Sequence, residues 1–274
     1  MNLVTIVHDD ISTLSHFLKY YSDKVNDYFI LVHKNSLSEN DFERVRYMTE
    51  DFGGIHEEFD GNLFDWNLFS DKVNEIKRLK PNDWWVVAET DEFHEYTHDI
   101  DEVIDACDEL DFQYIVGGLV DRINIDGKLL KITDDSDLEK DFEVYSNIRY
   151  ILSNNCPLKI PLSKGNVEIT SGYHYRKIGN KYVTPDNEDD IRFPIKLEFP
   201  RVNKFMWHKN IETVCRKIIN TNENYTYFWE YQEILTYLDL NNYMIDVNDS
   251  LVRFESKEEN LKSYKKEILS FGME

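Results

Sequence analysis

Apolar positions along the first 120 residues alternate between short continuous runs and helical stripes. Leu3–Val7 reads as a strand. Leu14, Phe17, Leu18, Tyr21 and Val25 then follow the i, i+3, i+4, i+7 spacing of an amphipathic helix. Tyr28–Val32 predicts a second strand, and Phe42, Val45 and Met48 a second helix behind the cap signal Ser38. A short strand near Gly54–Glu58 precedes a third helix carrying Phe69, Val73, Ile76 and Leu79. Pro81-Asn82-Asp83 breaks that helix, and Trp84–Ala88 is an unbroken apolar run of the kind a central parallel strand shows when buried on both faces. A helix with Ile100, Val103, Ile104 and Cys107 and a strand over Phe112–Val116 complete the series. Strand–helix alternation of this kind predicts an α/β fold, a Rossmann-like and mostly parallel sheet flanked by helices.

The rhythm changes after about residue 120. Asp121–Thr133 reads as a hairpin turned at Asp126-Gly127, and Asp134–Asp141 as a solvated charged loop. From about Asn210 the pattern is helical again, with Ile211, Val214 and Ile218 on one stripe and Phe228–Leu240 on another. Leu261, Tyr264, Ile268 and Phe271 predict a last docking helix. The expected partition is a catalytic core over 1–209, with a nucleotide-sugar half of about 1–120 and an acceptor half of about 121–209, followed by a helical segment over 210–274.

Composition narrows the function classes. Hydrophobic residues make up 41% and aromatics 14%, which fits a globular chain. No apolar run is long enough to span a bilayer, and Met1–Val7 lacks the features of a signal peptide, so a cytoplasmic location is expected. Cys107, Cys156 and Cys215 lie too far apart for a zinc cluster or disulfide framework. The formal charge of −22 repels nucleic-acid backbones and argues against nucleic acid as a partner. A phosphate-bearing substrate then needs local cations to offset this field.

Ligands of open α/β sheets bind beyond the carboxyl ends of the strands, where the chain places Glu89-Thr90-Asp91-Glu92-Phe93. Carboxylates two apart in an extended turn point the same way, so Glu89 and Asp91 could share a hard divalent ion such as Mg²⁺ or Mn²⁺. The plainer possibility is an acidic loop capping the next helix.

The order of several segments resembles glycosyltransferases of the family-2-like group with the GT-A fold, whose metal element reads Asp-x-Asp-Glu-Phe. The segments are the acidic turn itself, Leu14–Tyr21 with Tyr28–Val32 and Asn35-Ser36, and Gly117–Arg122 with Asp126–Leu129. Leu162–Val167 with Ser171–Tyr175, Phe205-Met206-Trp207 and Trp229-Glu230-Tyr231-Gln232 complete the set, which covers roughly residues 2–245. Two positions depart from the pattern. Glu89 stands where Asp is usual, and Asn203 and Lys204 stand where a His usually precedes Phe-x-Trp.

The resemblance implies a UDP- or GDP-linked sugar donor, a glycan or other hydroxyl acceptor, and Mn²⁺ or Mg²⁺ held by Asp91 and Glu89, with His174 a candidate third ligand beside His208. It implies donor contacts from His8, Asp10, Asn35, Lys72, Glu89, Glu92, Arg122 and Lys164. Glu92 reads equally well as a charge at a helix N-terminus. An inverting displacement needs a general base, for which Glu230 and Asp121 compete. Three other readings stay open. A nucleotidyltransferase would want a Gly-rich basic loop where His8-Asp9-Asp10 stands, a non-catalytic glycan-binding relative would tolerate both departures, and a phosphatase could use Asp9 or Asp10 as nucleophile.

Overall fold

The computed structural model describes residues 1–153, 156–179, 181–183, 200–221 and 228–247. In chain order the elements are β1 (Asn2–Val7), α1 (Leu14–Tyr21), β2 (Asp27–His33), α2 (Glu39–Thr49), β3 (Ile55–Phe59), α3 (Trp66–Lys77), β4 (Trp84–Val87), β5 (Glu92–Glu95), α4 (Ile100–Glu109) and β6 (Tyr114–Ile123). There follow α5 (Leu138–Asp141), β7 (Val144–Ser146), α6 (Ile148–Ser153), β8 (Leu158–Lys164), β9 (Glu168–Ile169), β10 (Arg176–Ile178), β11 (Lys181–Val183), β12 (Arg201–Lys204), α7 (Ile211–Thr221) and α8 (Phe228–Leu240). The expected Rossmann-like α/β architecture forms, with the C-terminal helices packed beside it. The predicted helix around Leu261–Phe271 lies outside the described residues.

Among the described residues nine strands make one sheet in the order β3-β2-β1-β4-β8-β6-β12-β5, with β7 on the end of β6. Strands β3, β2, β1 and β4 are parallel. Beyond them β8 lies antiparallel to both β4 and β6, and β12 runs parallel to β6 but antiparallel to β5. The run at Trp84–Ala88 is therefore central as expected, with one parallel and one antiparallel neighbour. Successive side chains of β1 and β4 enter opposite cores. Leu3, Val7, Trp84 and Val86 pack beneath α1, α2 and α4, whereas Val4, Ile6, Trp85 and Val87 pack against α3. A third core joins α6, α7 and α8 around Trp207, Ile211, Cys215, Ile234 and Leu238.

Two expectations for residues 121–141 need correction. The hairpin does not form, because β6 continues to Ile123 and takes β7 as its antiparallel partner. The turn at Asn124–Gly127 instead docks on the C-terminal segment, where Ile245 N donates to Gly127 O at 2.7 Å and Lys128 bridges Met244. Asp134–Asp141 is not wholly solvated either. Asp137 caps α5, and Leu138 is buried with Ile132 and Phe142.

Gly127 has φ +71, and a Cβ there would stand 1.9 Å from the Ile245 carbonyl oxygen; Gly53 has φ +87 with open space around it. Gly53→Ala should carry only the left-handed backbone cost of about 1 kcal/mol. Gly127→Ala carries that cost and the clash, and its Tm in thermal unfolding is expected to fall at least twice as far.

Candidate functional site

Chain continuity and ladder register assemble the site. Past β4 the chain turns back at once, with Glu92 N donating to Glu89 O at 2.9 Å and Glu89 N donating to Glu92 Oε2 at 3.2 Å. Glu92 thus opens strand β5 and does not sit at a helix N-terminus. The β5–β12 ladder sets Glu92 opposite Lys204, and Phe205 N donates to Asp91 O at 2.9 Å, tying β12 to the turn. Ligand oxygens of Glu89, Asp91 and Glu92 lie within 4.8 Å of one another, a group that could hold a divalent cation.

Two buried lysines already occupy that group. Lys204 Nζ lies 2.9 Å from Asp91 Oδ1 and 3.4 Å from Glu92 Oε1 and also bonds Glu89 Oε2. Lys159, at the start of β8, lies 2.8 Å from Glu89 Oε1 and 2.8 Å from Glu92 Oε1. The lysine side chains are only 3% and 6% exposed, so their charges are compensated by the carboxylates and hardly by water. Burial alone would lift the Glu89 carboxyl, but Lys159 and Lys204 hold it well below the ordinary range. Glu92 is lowered for the same reason, against burial and the repulsion of Glu89. Asp91 is raised by burial, which Lys204 offsets only in part while Glu89 and Glu92 add to it. The Lys204 ammonium, despite burial, is held well above its usual value by the three carboxylates. Three carboxylates against two ammonium groups leave one net negative charge. A divalent cation held by this group would share every one of its three carboxylates with Lys204.

Two adjoining clefts open at this turn. The larger, about 680 Å³, is walled by His8 and Asp10 after β1, Phe64 and Trp66 at the head of α3, and Ile211, Val214 and Ile218 of α7, with Asp91 and Lys204 in its floor. Asp65 caps α3 by accepting from Leu68 N at 3.1 Å, which fixes Trp66 at the rim. The smaller cleft, about 300 Å³, holds Arg149, Lys159, His174 and Glu230, and shares Trp66, Glu89, Lys204 and Tyr231 with the first. Helix α7 is clipped to the β1 end by Lys217, which meets Asp9 Oδ1 at 2.5 Å and Ser36 O at 2.7 Å. Asp9 itself has φ +54, a left-handed backbone that its bonds to Lys217 and from its own N–H to Ser36 Oγ hold in place.

The residues predicted from sequence divide. His8, Asp10, Glu89, Asp91, Glu92, His174 and Glu230 come together at or around the clefts. His174 is not one of the clustered carboxylate ligands; its Nδ1 bonds Leu158 O at 2.5 Å in the second cleft. Lys72 faces away on α3, paired with Glu57 at 2.6 Å. Arg122 sits at the site end of β6, one residue past the Asp121–Lys204 rung, but it is buried outside both clefts, with Nε donating to Phe142 O and the guanidinium paired to Glu139. Lys164 ends β8, opposite Trp84 at the start of β4, and pairs with Asp108 at 2.8 Å. Because β8 is antiparallel to β4, its second residue, Lys159, reaches the site and its last, Lys164, does not. Asn35 bonds Gly61 O at 2.7 Å and does not line either cleft. Asp121 also stays outside both; burial pushes its carboxyl up to about 6, and its Oδ2 accepts from Arg149 N at 2.9 Å. Glu230 pairs with the Arg149 guanidinium, so the two rival bases hold one arginine from opposite sides. Sequence reasoning passed over Lys159, Arg149, Trp66 and Lys217. Lys159 and Lys164 stand near opposite ends of β8, and the sequence does not say which end reaches the turn.

No family model matches the chain, and no curated protein matches it. Among solved structures, Staphylococcus aureus TarS aligns over 99% of this chain and 50% of its own length, at 9% identity and TM-score 0.34. The 1–349 piece of TarS aligns over 99% of this chain and 83% of its own, at 8% identity and TM-score 0.34. A Bacillus anthracis glucose-1-phosphate thymidylyltransferase in complex with sucrose covers 47% of this chain and 58% of its own, at 11% identity and TM-score 0.29. The chain thus spans between half and three-fifths of the thymidylyltransferase and of the longer TarS chain. Scores this low do not carry fold or activity from those proteins to this one. Among the described residues no helix is long and apolar enough to cross a membrane.

Burial, then the charge of Lys159, pushes the His174 ring down to about 3. The unfolded chain binds a proton on this ring below its ordinary value of about 6.5 while the folded ring stays neutral, so stability falls as pH drops through that window. At pH 5 the loss from this ring is expected to be about 2 kcal/mol. Between pH 7 and 5 the Tm of His174→Asn, which keeps a donor for Leu158 O, should fall less steeply than that of the wild type.

Proposed function

We propose that the chain is a glycosyltransferase that takes a nucleotide-diphosphate sugar, UDP- or GDP-linked, and passes the sugar to a hydroxyl of a glycan acceptor. The observation that carries this reading is a set of buried cations, each held by carboxylates that an anion could exchange with. In a molecule of net charge −22, Lys159, Lys204 and Arg149 are buried together around two joined clefts at the carboxyl ends of β1 and β4. Such a place suits a ligand that brings phosphate charge and is otherwise repelled by the surface.

In this reading the nucleoside occupies the larger cleft, between the aromatic rim at Trp66 and the apolar face of α7, with Asp10 and His8 beside the ribose. Lys204 borders both clefts, so the diphosphate lies over it and the sugar reaches into the smaller one, near Glu89 and Glu92. Glu230 is the base we favour over Asp121, because it lines the smaller cleft and Asp121 does not. The acceptor oxygen forms a bond to the anomeric carbon as the bond from that carbon to the phosphate oxygen breaks. The acceptor proton passes to Glu230, and the departing electron pair remains on the diphosphate. Charge developing there is met by groups already oriented before the reaction, the arrangement that contributes most in such steps.

Glu230→Gln should cut turnover by about 10²–10⁴-fold with donor affinity nearly unchanged, as loss of a general base does. Asp121→Asn should stay within about tenfold of wild type, an order-of-magnitude allowance for displacement of Arg149. Both are read from nucleoside diphosphate release with a panel of nucleotide sugars; a reversed pattern transfers the role to Asp121. Release of pyrophosphate from a nucleoside triphosphate and a sugar phosphate would instead make the chain a nucleotidyltransferase. A Tm unmoved by every nucleotide sugar would end the transferase reading.

A further inference from the structure

We infer that Lys204 takes the place a divalent cation would hold, so that the acidic turn carries a built-in cation and the centre takes up no metal. The diphosphate half of this inference rests on the proposed function; the occupancy of the turn does not. Three independent features place the ammonium there. The ladder between β5 and β12 fixes Lys204 opposite Glu92, and the bond from Phe205 N to Asp91 O prevents a slip of register. Its Nζ contacts all three carboxylates, which means that it lies inside the small volume their oxygens span. Lys159 reaches Glu89 and Glu92 from the other neighbour strand, β8, and further reduces the attraction left for a second cation.

Physical chemistry favours this arrangement over a shared one. A divalent ion among the same oxygens would stand within a few ångströms of two ammonium groups at low water content, where like-charge repulsion is poorly screened. Swinging Lys204 out would strand its charge in a site with little solvent. The position also suits the work, since Lys204 lines both clefts and so borders the junction between diphosphate and sugar. A lysine is a compact point charge able to meet a phosphate oxygen. Asp91, the most exposed of the three carboxylates at 23%, can yield its share of the ammonium when an anion arrives.

Direct Mn²⁺ titration followed by electron paramagnetic resonance tests the occupancy without any substrate. Wild type should show no stoichiometric binding up to about 1 mM, the weak end of oxygen-ligand sites. Lys204→Met, if folded by circular dichroism, should gain a site at least tenfold tighter. One Mn²⁺ bound at micromolar concentration by wild type overturns the inference, and that result does not depend on the variant folding. A second measurement compares Tm shifts from UDP and GDP in EDTA with those in Mn²⁺. Equal shifts support the inference, and a shift only with Mn²⁺ overturns it while leaving the transferase reading intact. No shift in either buffer counts against the transferase reading, and the Mn²⁺ titration alone then decides the inference.

Discussion

Everything about the site depends on the compensation of buried charge at the turn after β4. Three carboxylates on four consecutive residues repel one another, and burial magnifies that repulsion. The turn holds its shape because Lys159 and Lys204 arrive from two different strands, β8 and β12. Removing one partner of such a group leaves an uncompensated buried charge, which typically costs 3–5 kcal/mol. The dependence also runs the other way. The lysines reach the turn only if β8 inserts antiparallel beside β4 and β12 pairs with β5, so these electrostatics and the strand order require each other.

That mutual requirement explains what could be read from the chain in advance. The parallel half was legible because each element there is specified locally. Apolar runs of four to six residues bounded by polar turns have few alternatives to a buried strand, and the stripes of α1, α2 and α3 follow the helical period. The direction of β8 is a long-range choice that leaves no trace in its own alternation. The motif therefore points to Lys164, while Lys159, five positions earlier on the same strand, is the lysine that reaches the acidic turn. Lys72 and Arg122 failed for a related reason. A cation's sequence context does not say which face of a helix or of a strand it occupies, and each found a carboxylate of its own in an acidic chain. The acidic turn was legible because its position after the most apolar strand is a local fact. The place of Lys204 was not, because its contact with three carboxylates follows from the pairing of β12 with β5, which its own sequence context does not reveal.

Arg149 links the catalytic question to the same constraint. It sits at the start of α6, receives Glu230 on its guanidinium and gives its backbone N–H to Asp121. The two acids that sequence reasoning set in competition are parts of one assembly, with unequal access to the cleft. Glu230 belongs to α8, whose core is shared with α6 and α7, so the helical C-terminal segment supplies a wall of the site and is not an appendage. Lys217 of α7 reinforces this by reaching Asp9 after β1. The site is thus built from both ends of the described chain.

The net charge of −22 then acquires a definite role. At physiological ionic strength the repulsion it exerts on an anion fades beyond about 8 Å, so it acts mainly as an approaching ligand nears the surface. Inside the clefts the local balance is different. The carboxylates of the turn are nearly neutralised by their lysines, and Arg149 is matched by Glu230, so the diphosphate of the proposed donor would meet groups whose partners can be exchanged. In the proposed reaction the anion would replace a carboxylate in the contacts of Lys204, most readily Asp91, whose side chain is 23% exposed. Under the proposed function, selection for a phosphate ligand would rest on a few buried cations held by acids, against a surface of net charge −22.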